Sequence, residues 1–309
     1  MSFTTEIKQE IANNKMKKCC AKAELSAIIH LTSSLSISNK KLGLLIRTEN
    51  PTTAKRTVQL LKNLYGVKTD LAVAKKSNLK RNNIYRINVT QNVKNILTDL
   101  GVYGKKGLAA TPNSKIVKNQ CCQKAYLTGA FLAYGTCNSP SSNNYHFEIS
   151  TSDYSLANFM KKIFEKHHID TKVTKRRNRY IVYIKKAEKI EDTLKLIGAS
   201  DCLISFTNNR VMRDYKANFV RLDNCETANT SKSLKAADSQ MKKIEKIKKA
   251  NKQKELDVKL KEIFDLRIKY PESSLLELCD EYEKMYGTEI SKSGMRHRIN
   301  RIEEFADNL

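Results

Sequence analysis

The 309-residue chain has no tryptophan, only four prolines and ten glycines, and far fewer acids than bases. So little proline and glycine excludes collagen-like and low-complexity architectures. No stretch reaches the ~20 consecutive apolar residues of a membrane span. The opening Met1-Ser-Phe-Thr-Thr-Glu-Ile-Lys8 lacks the apolar core of a secretory signal. A cytoplasmic protein with no membrane partner is therefore expected, nucleoid-associated if its partner is DNA. The acid shortage is the strongest compositional feature: 57 Lys and Arg against 32 Asp and Glu leave a formal net charge of +25. Such a surplus points to a polyanionic partner, most simply nucleic acid. Abundant Lys, Asn and Ile also fit an AT-rich genome, so the charge needs support from motifs. With 40% hydrophobic residues, the chain can bury two domain cores and a smaller third.

The eight cysteines fall as two adjacent pairs, Cys19-Cys20 and Cys121-Cys122, and four singles, Cys137, Cys202, Cys225 and Cys279. In a cytoplasmic protein they stay reduced. Zinc ligands usually pair across a gap of two to four residues, so adjacent pairs read as poor chelates. Buried thiols at helix starts are the expectation, with no metal and no cofactor. No histidine stands out as the partner of a catalytic cysteine.

The cysteine pairs nevertheless expose a repeat. Cys121 follows Cys19 by the same 102 residues that separate Leu127 from Leu25. In the first half, Leu25, Ile28, Leu31 and Leu35 recur at helical spacing. A β-rich stretch at Leu42–Arg47 follows, then a helix from Pro51 with Ala54, Val58, Leu61 and Tyr65 on one face, stopped by Gly66. Val67–Ala74 and Ile84–Val89 read as paired strands, and Asn92–Leu100 as a closing helix. The second half repeats the order: a helix at Gln123–Tyr134, a strand at Tyr145–Ser150, an amphipathic helix at Tyr154–His167. A hairpin of Thr171–Lys175 with Tyr180–Ile184 and a helix at Ile190–Ile197 complete it. The expected fold is α+β: two pseudo-symmetric αββαββα units that pair helix to helix and form a saddle.

This arrangement resembles the LAGLIDADG homing endonucleases. Leu127-Thr-Gly-Ala-Phe-Leu-Ala-Tyr-Gly135 aligns with the family motif through Leu127, Gly129, Ala133 and Gly135; Leu25–Ser33 matches more weakly, with Ala27 for the glycine. The resemblance implies metal-binding carboxylates near the base of each motif helix. Those positions hold Leu132 and Tyr134 in the second motif and His30 and Thr32 in the first. Magnesium needs hard oxygen ligands, so a dead nuclease scaffold that keeps its DNA-lying surface is expected. Longer strings make the resemblance more specific. Cys19-Cys-Ala-Lys-Ala-Glu-Leu25, Arg47-Thr-Glu-Asn50, Ala125–Leu132, Tyr145-His-Phe-Glu148, Asn224-Cys-Glu-Thr-Ala-Asn229, Tyr270–Leu275 and Ile290-Ser-Lys-Ser-Gly294 are similar to the WhiA family along nearly the full chain. Thr128 stands where that family more often has arginine. The resemblance implies a regulator of sporulation, cell division or chromosome segregation.

The expected domains are an N-terminal extension (1–18), the two repeats (19–105 and 121–220), a linker with a basic helix (222–255) and a helix-turn-helix domain (256–309, its core about 274–307). Asn224–Asn229 is expected to be a capping turn. Lys232–Lys254 holds nine lysines against two acids, with Leu234, Ala237, Met241, Ile244 and Ile247 at helical spacing. It reads as a basic helix, either a solvated connector or a neighbour of the phosphate backbone.

In the last helix, Met295, Ile299, Ile302 and Ala306 share one narrow arc. Ser293, His297, Asn300 and Arg301 face the other way, flanked by Arg296 and Arg298; Ser291 and Lys292 lie at its start. An apolar back with donors in front is what a recognition helix needs: Arg reads guanine, Asn reads adenine, and the start suits phosphate. Residues 256–309 carry nine Lys and Arg against twelve Asp and Glu, yet 291–301 hold four cations and no acid. A protein-docking bundle remains the alternative. Further cations lie on the two hairpins: Lys75, Lys76, Lys80 and Arg81, and Lys175, Arg176, Arg177, Arg179, Lys185 and Lys186. They read as a pseudo-symmetric DNA surface or as solvated hairpin tips. Double-stranded DNA is the expected partner and a regulatory protein the second candidate. The functions in contention are a DNA-binding transcriptional regulator, a scaffold whose saddle grips an acidic protein, and an active metal-dependent nuclease.

Overall fold

The structure, a computed structural model, describes residues 2–38, 41–75, 83–104, 107–142 and 144–309. It divides into two compact units, Met1–Met212 and Arg213–Leu309. The first unit opens with α1 (Phe3–Ala12). A first repeat follows: α2 (Lys18–Thr32), β1 (Ser33–Ser38), β2 (Lys41–Thr48), α3 (Pro51–Tyr65), β3 (Asp70–Lys75), β4 (Asn83–Val89) and α4 (Val93–Asp99). Two-residue strands β5 (Tyr103–Gly104) and β6 (Gly107–Leu108) lead to the second repeat. This runs α5 (Gln120–Tyr134), β7 (Gly135–Cys137), β8 (Phe147–Thr151), α6 (Tyr154–Lys166), β9 (Lys172–Arg176), β10 (Arg179–Ile184) and α7 (Ala187–Ile197). Each repeat is αββαββα, and the two antiparallel sheets have the same order, β1-β2-β4-β3 and β7-β8-β10-β9. The expected fold class is what the chain adopts.

Local chemistry sets these elements. Asn50 caps α3 by accepting from the Thr53 amide, Pro51 pre-sets its first turn, and Gly66 ends it at φ 64°. Asp153 caps α6 through the Ser155 and Leu156 amides. Strand alternation puts Leu44, Ile46, Ile87 and Val89 in the core of the first repeat, and Phe147, Ile149, Val182 and Ile184 in that of the second. The two motif helices pack on each other. An added Cβ on Gly129 would overlap the Glu24 backbone, so only glycine permits this approach. Thr128, at the departure from the family pattern, donates to the Lys124 and Ile197 carbonyls at 3.0 and 3.3 Å.

Three elements differ from the sequence reading. Leu35 continues the apolar period of α2, but the helix ends at Thr32 and Leu35 lies on β1. Residues 1–18 are not a mere extension: α1 buries Phe3, Ile7 and Ile11 in the core. Its Thr4 hydroxyl exchanges 2.9 Å bonds with the Cys137 backbone, and Glu10 accepts from the Asp201 and Cys202 amides at 2.7 and 3.0 Å. Glu10 thereby caps the start of α8 (Ser200–Lys249). Asn224–Asn229 is no turn but lies inside this one 50-residue helix. Phe206 of α8 is buried in the first core, and Ile244 and Ile247 in the second. Once both ends are held, helix propagates through the cap-prone residues at little cost per residue.

In the second unit, the end of α8 packs with α9 (Val258–Lys269), α10 (Leu275–Tyr286) and α11 (Lys292–Asp307). Ser274 and Glu277 form a reciprocal capping box on α10, and Gly287 ends it at φ 65°. Arg267 is almost fully buried; it donates to the Ser273 carbonyl at 2.5 Å and to Gln240 Oε1 at 2.7 Å, tying α9 to α8.

Candidate nucleic-acid interface

α10, the turn after Gly287 and α11 make the helix-turn-helix. Met295, Ile299, Ile302 and Ala306 are all buried against the bundle, as the helical arc requires. Ser291 caps α11 through the Gly294 amide at 3.1 Å and lies 3.1 Å from the Ser293 hydroxyl. Its exposed start leaves first-turn amides facing solvent, a natural seat for phosphate. Lys292, Ser293, Arg296, His297 and Asn300 are exposed. Among the described residues, the side chains of Lys292, Arg296, His297 and Asn300 make no hydrogen bond or ion pair.

Two of the expected readers are committed elsewhere. Arg298 is half-buried; it donates to the Tyr282 hydroxyl at 3.1 Å and lies over that ring, while Tyr282 donates to Glu262 at 2.6 Å. Arg298 thus fastens α11 to α10 and α9. Arg301 sits 3.4 Å from Asp257, the cap of α9, and both are half-exposed. The uncommitted donors narrow to Arg296, His297 and Asn300, with Ser291, Lys292 and Ser293 at the helix start.

The hairpin cations divide in the same way. Lys76, Lys80 and Arg81 lie outside the described residues; Lys75 is exposed at the end of β3. Arg177 occupies the tight turn at φ 52° and is exposed. Arg179 lies 4.3 Å over the Tyr134 ring and donates to the Ser150 carbonyl at 3.2 Å. Lys175 and Lys185 lie over Tyr180 and Tyr183. Arg176 is 3.9 Å from Glu148, which also holds His146 at 2.8 Å. Sequence reasoning missed the pair Arg47 and Arg86. They are exposed and directly opposite in the β2–β4 register, a like-charge placement that repels unless an anion lies between. The alternation of β2 was the signal that could have found it.

α2 runs straight into β1 and α5 into β7. At these helix ends the expected nuclease positions hold no carboxylate. The Thr32 hydroxyl donates to the Ile28 carbonyl at 2.6 Å, and the Leu132 side chain is buried. The half-exposed Tyr134 has the Arg179 cation on its ring. His30 Nε2 is 3.0 Å from the Ala109 carbonyl, and burial holds its imidazole below the usual range. The one acid buried in these helices, Glu24, sits mid-helix in a bidentate pair with Arg56 at 2.8 and 3.1 Å. Burial pushes its carboxyl up against the pull of that guanidinium.

At the opposite ends of α2 and α5, the two cysteine pairs meet: the sulfurs of Cys19, Cys20, Cys121 and Cys122 all lie within 4.8 Å of one another. The ligand-spacing rule judged each pair alone. The 102-residue offset was the signal that the pairs occupy equivalent places.

Residues 18–103 match the family model of the WhiA N-terminal LAGLIDADG-like domain, residues 123–216 that of the WhiA LAGLIDADG-like domain, and residues 219–306 that of the WhiA C-terminal HTH domain. The chain is 41% identical over 313 residues to the "Probable cell division protein WhiA" of Bacillus licheniformis, covering 100% of this chain and 97% of that protein. The protein of the same name in Bacillus subtilis is 39% identical over 310 residues, with the same coverage. The crystal structure of full-length DUF199/WhiA from Thermatoga maritima matches with a TM-score of 0.60 at 20% identity, covering 100% of this chain and 99% of that one. The N-terminal LAGLIDADG domain of DUF199/WhiA gives 0.52 at 21% identity, over 64% of this chain and 90% of that one. These structures share the fold; the sequence relatives, alike from end to end, place the chain in the WhiA family.

Proposed function

We propose that this chain is a sequence-specific DNA-binding transcriptional regulator acting in cell division and chromosome segregation, on a homing-endonuclease scaffold that no longer cuts. The observation that carries the reading is α11: an apolar back buried in the bundle, and Arg296, His297 and Asn300 exposed in front without protein partners. Arginine and asparagine are the residues that read guanine and adenine edges in the major groove. The capped start of the helix supplies amides, Ser293 and Lys292 for phosphate. Loss of cleavage follows from the helix ends, where Thr32 bonds to its own helix and Tyr134 carries a cation rather than holding one. His30, Thr32, Leu132 and Tyr134 themselves offer a divalent ion no carboxylate. The relatives' name, a probable cell division protein, supports the biological setting.

Genome-wide mapping of sites bound by the full chain, followed by shift assays on a recovered site, tests this reading. Discrete sites, lost in an Arg296→Ala/Asn300→Ala variant, are expected. Binding that ignores sequence, or that survives the variant unchanged, rejects α11 as the reader.

A second reading has its own support. Glu148 places an acid in the second sheet's cationic face, 3.9 Å from Arg176 and 2.8 Å from His146, which suits a mixed-charge protein partner better than a phosphate backbone. In that reading the saddle grips a regulatory protein and α11 alone meets DNA. Removing Arg47 and Arg86 then leaves the salt dependence of DNA binding unchanged.

A further inference from the structure

We propose that Cys19, Cys20, Cys121 and Cys122 form a tetrathiolate site for one zinc ion, clamping together the N-terminal ends of the two motif helices. The four sulfurs lie within 4.8 Å of one another, and the neighbours within each pair are 3.9 and 4.0 Å apart. A zinc tetrahedron with Zn–S bonds of about 2.3 Å has edges of about 3.8 Å. Closure therefore asks for a contraction of at most about 1 Å, within the reach of small side-chain torsions. Each adjacent pair offers two corners of the tetrahedron, and the other two arrive from the equivalent turn of the partner helix.

The surroundings suit a thiolate cluster of net charge −2. The residues at the caps of both helices, Lys17 and Asn119, make no side-chain cap bond. Apart from the Cys122 amide, which donates to the Asn119 carbonyl at 3.0 Å, first-turn amides and the positive ends of two helix dipoles therefore remain for the sulfurs. Lys17 and Lys18 immediately precede the first pair, and Lys118 lies three residues before the second. Cys20 and Cys122 are buried and Cys19 and Cys121 exposed, so an ion can enter from one side and be shielded on the other. Binding is a simple exchange: each thiol gives its proton to solvent as its sulfur takes up Zn2+, and nothing is oxidised. Four soft sulfurs select zinc over magnesium or calcium. The site is also separate from the lost nuclease centre, since a 15-residue helix puts Thr32 and Tyr134 about 20 Å away.

A disulfide is the rival chemistry. Neighbouring Cα atoms across a trans peptide are about 3.8 Å apart, below the roughly 4.4–6.8 Å that disulfides span. A bridge within either pair is therefore disfavoured, and only a bridge between the helices competes.

The test uses the full chain, purified under reducing conditions and reconstituted with zinc or cobalt. The expected results are one tightly held zinc per chain, and a cobalt spectrum with the thiolate charge-transfer and visible bands of a tetrahedral sulfur site. The four clustered thiols should resist alkylation when zinc is bound, while the exposed Cys225 reacts. Cys19→Ser/Cys121→Ser, which alters only the exposed pair, should lose the zinc; Cys225→Ser should keep it. Substoichiometric zinc in the reconstituted wild type, a cobalt spectrum without sulfur bands, or full zinc in the double variant overturns the proposal. A disulfide between the helices, mapped by mass spectrometry in chain taken from a reducing cytoplasm, overturns it in favour of a redox pair. Wild-type cobalt spectra decide the matter even if the variant does not fold.

Discussion

Both units spend arginines on their own fold, but they differ in which donors are left over. In the first, the conspicuous cations serve the fold. Arg56 neutralises buried Glu24, Arg179 stacks on Tyr134, and Arg210 bridges Glu188 and Glu191 at 3.2 and 2.9 Å. In the second, Arg298 is spent inward, while Arg296, His297 and Asn300 of α11 face solvent. Yet residues 256–309 are net acidic, with nine Lys and Arg against twelve Asp and Glu. Total charge is thus a poor guide to which donors a unit leaves exposed. The better guide is which donors the protein itself leaves unused.

The comparison breaks most sharply at Arg56. Arg56→Ala strands the fully buried Glu24 and should cost about 3–5 kcal/mol of stability, read as a shift of the denaturation midpoint. Adding Glu24→Gln should restore most of it. If the single variant is as stable as the parent, the inward role is wrong. The counterpart is Arg296→Ala. Folding should be unaffected, while affinity for a preferred DNA site should fall by about 1–3 kcal/mol, with relaxed specificity at one base pair. A loss equal on all sequences would make Arg296 a phosphate contact instead.

His30 sharpens the comparison through pH. Burial holds its folded-state pKa below the ordinary 6.5. Below that pH the unfolded chain takes a proton that the folded chain resists, so stability present above pH 6.5 is lost as pH falls toward the depressed folded value. Urea midpoints measured against pH should show this slope, and His30→Asn should flatten it. The smallest effect belongs to Arg47 and Arg86. Replacing either with alanine should relieve their mutual repulsion and leave stability equal or slightly higher. If the sheet lies on DNA, each replacement should also lower the log-affinity against log-salt slope by about one.

Much of the fold was legible because it is periodic. The alternation of β2, β4, β8 and β10 and the arc of α11 follow from packing rules that act over a few residues, and the 102-residue offset is a direct recurrence of the Cys-Cys and Leu spacing. What escaped depends on contacts remote in sequence. α1 is held by Cys137 and by the start of α8, more than 130 residues away. Asn224–Asn229 contains residues that favour caps, and its helicity comes from anchored ends rather than its own preference. Leu35 fitted the helical period by coincidence of spacing, because α2 turns into a strand with no loop between. At α11, burial and exposure were readable from helical geometry. The commitment of Arg298 to Tyr282 and of Arg301 to Asp257 was not, since both partners come from other helices.

The most direct measurement is footprinting of the full chain on DNA carrying a mapped site, with magnesium present and the salt concentration varied. The account predicts protection of a discrete site, intact strands throughout, and steep weakening with salt. Strand scission at the site, or no protection at any salt concentration, would contradict it.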